Sequence, residues 1–200
     1  FIILKKIEEE ERQLRKKGII LAETAPLKAL RFAEKYFKDI YGRNTGLYAS
    51  DDYYQGEYVH KTVYSPVMLT TNDSQVDLTV NIRFAYGTNV EKMKNRLLML
   101  AEENGGTADF VDIMQAVFVS KHEPFIKELA SAYEEVTGKK NEFVLATGTS
   151  YAKAMPRIVS WGPILPEMED TCHEANEYIL VKDLITNGKI YYSAICKIAQ

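Results

Sequence analysis

The sequence predicts a mixed α/β and α+β chain. Residues 27–119 are expected to form a small α+β sandwich, an antiparallel sheet with two helices on one face. Residues 120–200 are expected to add strand–helix segments of an α/β layer, and residues 1–26 an N-terminal helix and connector. Three observations carry this. LKALRFAEKYFKDIY (27–41) has apolar residues at helical spacing, and VDLTVNIRFAY (76–86) alternates apolar and polar side chains. Past Ser120 short apolar runs alternate with helical patterns, which suits an α/β layer better than a sandwich.

Taken in order, residues 3–17 predict a helix. Ile3, Ile7 and Leu14 fall on one stripe, Glu8–Arg12 and Glu11–Arg15 are i,i+4 pairs, and Gly18 is the stop. GIILAETAP (18–26) reads as extended. The helix over 27–41 carries Leu30, Phe32, Ala33, Phe37, Ile40 and Tyr41, and Gly42 closes it. The Tyr, Val and Thr content of 43–86, broken by Gly, Pro and an Asn-Asp-Ser turn, predicts strands. Within it Val76, Leu78, Val80, Ile82 and Phe84 share one face, and Asp77, Thr79, Asn81 and Arg83 the other. A second amphipathic helix covers 89–103, ended by Gly105-Gly106, and FVDIMQAVFV (110–119) reads as a strand of ambiguous period.

A third helix follows Pro124 and stops at Gly138. FVLATGTS (143–150) reads as a strand entering a turn and IVSWGPIL (158–165) as a short buried strand. PEMEDTCHEAN (166–176) is a loop, and 181–199 is a last helix packing Leu184, Ile185, Ile190, Ile195 and Ile198.

Of the 200 residues, 46% are hydrophobic and 26% charged, the proportions of a soluble globular protein. A formal charge of −3 creates no field for nucleic acid or an anionic membrane, and the apolar runs are too short to span a bilayer. Cys172 and Cys196 form no ligand spacing; free thiols suit a reducing cytoplasm. The chain opens on Phe1, which suggests a piece of a longer protein or a processed product.

Three places can carry chemistry, apart from two further histidines. His60 in a Tyr/Val-rich strand and His122 at a helix entrance suit ordinary structural roles. His173 stands among Glu169, Asp170 and Glu174 at the carboxyl end of an expected buried strand, where α/β layers bind ligands. Neutral imidazole is a common metal ligand, yet one histidine is not a site, and a polar loop residue fits the pattern as well. Gly148 and Thr149 in ATGTSYAK (146–153) sit where backbone N–H groups can meet a carboxylate or phosphate. An ordinary helix cap by Thr149 or Ser150 fits equally. Arg83 lies on the polar face of a strand, where a guanidinium can hold a carboxylate through two hydrogen bonds or simply face water.

VNIRFAYGTNVEKM (80–93), ATGTSYAKAMPRIVSWGPILPEMEDTCHEANEYI (146–179) and the closing helix resemble the C-terminal half of zinc-dependent dipeptidases of the peptidase V and carnosinase type. That family also holds aminoacylases and glutamate carboxypeptidases. The resemblance covers about residues 27–200. It implies that 27–119 is a lid domain closing over a dipeptide and that 120–200 is the last part of a catalytic domain with two zinc ions. It further implies that His173 is a ligand of one zinc, that Arg83 grips the substrate carboxylate, and that Gly148 and Thr149 contact the same end of the substrate.

The departures from the family bear on activity. Its H-x-D segment, bridging Asp, Glu-Glu pair with the general base, and further Asp have no counterpart here. Ala22 stands where a G-x-x-x-H-x-x-x-P lid histidine is expected. The expectation is therefore a cytoplasmic, truncated dipeptidase that is inactive alone and binds zinc weakly at most. It would self-associate through surface that truncation exposes. The alternative is a non-catalytic binding or dimerisation module on the same fold, which an internal replacement such as Ala22 favours.

Overall fold

The computed structural model describes residues 2–20, 22–49, 52–72, 75–145, 150–155, 157–162 and 164–199. It is a mixed α and β structure with small antiparallel sheets and helices, in two compact units, Phe1–Ala116 and Val117–Gln200.

The first unit begins with helices α1 (Ile2–Lys16) and α2 (Ala25–Phe37). Glu11 of α1 pairs with Arg31 of α2 at 3.1 Å, and Arg31 also holds Glu23 at 2.9 Å. The helix-internal pair expected for Glu11 thus gives way to one that joins two helices. Pro26 sits in the first turn of α2, where its missing N–H costs nothing. The helix stops at Phe37, earlier than Gly42. Gly42 takes the left-handed φ of 67° that leads into a 3₁₀ turn, Arg43–Thr45.

A short hairpin, β1 (Tyr53–Tyr54) with β2 (Glu57–Tyr58), precedes a longer antiparallel ribbon of β3 (Val63–Thr71) and β4 (Val76–Arg83). Val63 lies opposite Arg83, and the register slips between Pro66 and Met68. In a two-stranded ribbon each strand keeps a free edge, so a proline that cannot donate is tolerated there. Along β4 the expected alternation holds: Val76, Leu78, Val80 and Ile82 are half-buried while Asp77, Thr79, Asn81 and Arg83 are exposed.

Helix α3 (Val90–Glu103) starts at Asn89, whose side chain accepts the Lys92 N–H at 2.9 Å. Its Met93, Leu97 and Leu100 meet Tyr36 and Phe37 of α2 and Tyr64 of β3 in one buried cluster, with Val80 and Ile82 packed against it. The Phe37 and Tyr64 rings stack at 5.8 Å. Buried Thr45 donates its hydroxyl to the Gly42 carbonyl and accepts from the Leu47 N–H, and Arg96 of α3 donates to the Thr45 carbonyl at 2.8 Å.

The strand expected over 110–119 is not formed; these residues are irregular and Val111 is 99% exposed. An apolar run becomes a strand only where a neighbour satisfies its N–H and C=O groups, and none pairs with it among the described residues.

In the second unit α4 (Pro124–Thr137) packs on α5 (Val181–Ile198). Gly138 ends α4 in the left-handed conformation at φ 68°, donating its N–H to the Glu134 carbonyl. Ile126, Ala132, Ile190 and Ala194 are buried. Of the expected strands at 143–150 and 158–165, residues 146–149 and 163 lie outside the described residues, and the rest are irregular, again without a neighbouring strand among the described residues. Trp161 is held to α5 by the Tyr191 hydroxyl, which donates to its carbonyl at 3.1 Å, and by an edge-on ring contact. Of the apolar residues expected to pack along α5, only Ile190 is buried; Leu184, Ile185, Ile195 and Ile198 face outward. The face that α4 covers was set by a contact the periodicity does not encode.

The packing of Tyr64 against Gly42 governs two measurable properties of the first unit. A Cβ at Gly42 would meet the Tyr64 ring at 2.6 Å in a backbone region where L side chains are strained. Gly42→Ala should therefore cost at least ~1 kcal/mol at neutral pH in urea unfolding. Burial pushes the Tyr64 phenol up to about 12 from its ordinary 10.0. An unfolded Tyr64 ionises first as pH rises, so stability fully present below pH 10.0 is lost toward pH 12, by up to ~3 kcal/mol. Tyr64→Phe should flatten that alkaline loss when unfolding curves are compared at about pH 8 and about pH 11.

Candidate functional site

Arg83 is the last residue of β4. The ribbon register sets it opposite Val63, and the β4 alternation turns its side chain away from the core, where it is exposed. The segment after Arg83 holds that strand end in place. The Ala85 N–H donates to the Thr62 hydroxyl at 3.1 Å, the Thr88 N–H to the Ala85 carbonyl, and Gly87 turns the chain at φ 84° into the Asn89 cap. Tyr86 packs edge-on against Tyr54 at 4.7 Å. Lys61, in the segment entering β3, pairs with Asp52 at 2.9 Å. The Lys61 hydrogen bond holds the Asp52 carboxyl below its usual range, and Asp52 raises the Lys61 amine in return. An exposed guanidinium at a register-fixed strand end is suited to a planar carboxylate.

Ala22 lies exposed in the irregular stretch between α1 and α2, next to Glu23, which Arg31 holds. Its methyl offers no donor or acceptor. Gly148 and Thr149 lie outside the described residues. Beside them Ser150 accepts the Ala152 N–H at 3.2 Å and caps a short 3₁₀ turn, Tyr151–Ala154.

His173 belongs to the second unit, in a loop of two consecutive turns. The Glu174 N–H donates to the Thr171 carbonyl and the Glu177 N–H to the Glu174 carbonyl. Thr171 and Tyr178 close the loop, with the Tyr178 N–H on the Thr171 hydroxyl at 3.3 Å and the Tyr178 hydroxyl on Glu169 at 2.9 Å. His173 is exposed, has a left-handed φ of 65°, and donates its backbone N–H to Glu177 at 3.2 Å. The carboxylate that organises the loop around His173 is thus Glu177, four residues on, where the sequence drew attention to Glu169, Asp170 and Glu174. Its cue was the i,i+4 spacing from His173.

Desolvation and the carboxylates of Asp170 and Glu177 raise the neighbouring Cys172 thiol, which disfavours a thiolate ligand or nucleophile there. Among the described residues no group of three or more His, Cys, Asp or Glu is placed to hold a metal ion. The donor set around His173 therefore does not fit zinc by itself, since catalytic zinc takes about three protein ligands.

The other perturbed carboxylates in this unit are tied up in ion pairs. Lys197 at 3.1 Å and the Ser193 hydroxyl at 3.2 Å hold Glu135 below its ordinary range, and Lys139 does the same for Glu167. No described helix is long and apolar enough to cross a membrane.

No family model matches the chain. It is similar over 116 residues to a "Putative dipeptidase" of Staphylococcus epidermidis, at 32% identity. Proteins with the same designation from Staphylococcus haemolyticus and Staphylococcus aureus match at 30% and 29%. The matched stretch is 58% of this chain and 25% of each relative, so the chain spans about a quarter of the length of the curated relatives it matches.

A single imidazole in an exposed loop should hold zinc only weakly. Zinc added to the chain should shift the His173 ring signals in nuclear magnetic resonance without saturating, and His173→Ala should remove the response. Tight, stoichiometric binding would show ligands beyond this loop.

Proposed function

We propose that this chain supplies the carboxylate-gripping part of a zinc-dependent dipeptidase of the peptidase V and carnosinase type, together with one metal-binding residue, His173. The observation that carries the reading is Arg83, an exposed guanidinium on the register-fixed end of β4, in a chain similar over 116 residues to proteins designated dipeptidases. In this reading 27–119 acts as the lid and the Arg83 fork binds the free carboxylate of a dipeptide through two charge-assisted hydrogen bonds. A cation fixed at that point measures the distance from carboxylate to peptide bond, which favours dipeptides over longer peptides. The remaining zinc ligands and the base come from sequence outside these 200 residues, so the chain alone binds substrate without hydrolysing it.

The test compares a dipeptide with its C-terminal amide on the purified chain, by chemical-shift titration. The free carboxylate should bind more tightly than the amide. Arg83→Ala should weaken the dipeptide about tenfold or more and leave the amide unchanged. Equal binding of both, or indifference to Arg83→Ala, overturns the role of Arg83. Zinc-stimulated turnover by the chain alone overturns the division of labour.

A further inference from the structure

We propose that Thr62 is a positioning residue for Arg83, its hydroxyl holding the chain just beyond the guanidinium-bearing residue. The β3–β4 ladder ends at the pair Val63–Arg83. The last pair of a ladder is held on one side only and frays first. Here the chain is caught again two residues past Arg83, where the Ala85 N–H donates to the Thr62 hydroxyl at 3.1 Å. The Thr88 hydroxyl lies 3.5 Å from the same oxygen, and the Thr88 N–H donates to the Ala85 carbonyl at 3.2 Å. One half-buried side chain thus meets both ends of the turn from Ala85 to Thr88. Arg83 is held between that turn and the ladder.

A backbone carbonyl would ordinarily take the Ala85 N–H. Tyr64 sends its own N–H away from β4, to the Ile40 carbonyl at 2.7 Å. By the alternation of an antiparallel pair, a ladder continued past Val63 and Arg83 would have Ala85 donate to the Lys61 carbonyl. That carbonyl is engaged instead by His60, whose Nδ1 lies 2.7 Å away; a carbonyl only accepts, so Nδ1 carries the proton. The left-handed φ of 53° at His60 and the pairing of the Lys61 amine with Asp52 at 2.9 Å take this segment off the ladder. The Thr62 hydroxyl replaces the acceptor that the ladder loses there. Two parallel bonds from a guanidinium to a carboxylate demand a set direction. Freedom at the strand end therefore weakens the grip before it unfolds the ribbon.

The inference rests on the reading of Arg83 as the carboxylate grip, and its test separates the two. Thr62→Val keeps the side-chain shape and removes the hydroxyl, whereas Thr62→Ser keeps the hydroxyl. Titrations are run on the purified chain where circular dichroism shows each variant folded. Thr62→Val should speed Ala85 amide hydrogen exchange and weaken the free dipeptide, each about fivefold, with the C-terminal amide unchanged. Thr62→Ala, which removes the hydroxyl without adding a methyl, should match it, and Thr62→Ser should restore both properties. Thr70→Val makes the same change at an exposed position near the far end of β3, opposite Asp77, and should alter neither. If Arg83→Ala abolishes the preference for the free carboxylate and Thr62→Val spares it, the positioning role is overturned and the reading of Arg83 stands. If Arg83→Ala leaves that preference unchanged, both fall. Equal weakening of dipeptide and amide by Thr62→Val, or no restoration by Thr62→Ser, also overturns the positioning role.

Discussion

The Tyr64 ring lies flat against Phe37 with Gly42 closing over its edge, and its backbone N–H donates to the Ile40 carbonyl at 2.7 Å. This contact joins three parts of the first unit: the end of α2, the left-handed turn and the entry to β3. Because Val63 precedes Tyr64 and lies opposite Arg83, anchoring Tyr64 also anchors the strand end that presents the guanidinium. A one-residue slip in the ribbon would turn Arg83 inward and Ile82 outward, losing a packed side chain and burying a charge together. The same clamp thus fixes the register and the direction of the candidate substrate contact.

The second unit has no comparable centre among its described residues. Its helix pair buries Ile126, Ala132, Ile190 and Ala194, and the segments between the helices are attached by a few contacts such as Trp161 to Tyr191 and the ion pairs Glu167 to Lys139 and Arg157 to Glu123. Exposed ion pairs of this kind contribute ~1 kcal/mol or less each, so they guide the loops more than they hold them. The His173 loop is an exception because it is closed internally, by turns and by the Thr171–Tyr178 bonds. Its geometry is local and does not need the rest of the unit to be tightly packed.

That contrast explains what could be read from the sequence. Helix α3 with its Asn89 cap, α4 with its Gly138 stop and the alternating β4 were legible because caps and periods are local signals. The runs at 110–119, 143–145 and 158–165 share the apolar content of strands, but pairing is decided by a distant partner, which periodicity within the run does not encode. The period of α5 was visible, yet it contains two apolar stripes and only the position of α4 selects the inner one. At the candidate site the exposed orientation of Arg83 followed from alternation. The left-handed backbone of His173 and its bond to Glu177 did not, since positive φ is uncommon for any single non-glycine residue even though histidine is enriched there.

The chemistry of the two units divides along the same line. A residue that moves protons at neutral pH needs its charged and neutral forms close in energy, which for a carboxylate means an upward shift by burial or like charge. Asp52, Glu135 and Glu167 are shifted the other way, each by a lysine that holds the carboxylate ionised. The Cys172 thiol and the Tyr178 phenol are raised, with neighbouring carboxylates contributing, and stay protonated. These groups are tuned for holding structure. Arg83 is suited to holding a ligand, because a guanidinium keeps its charge at any working pH and has a fixed donor fork. The His173 imidazole is suited to coordinating one, its backbone already fixed by Glu177. In the dipeptidase reading, the proton transfers of hydrolysis then fall to groups placed elsewhere.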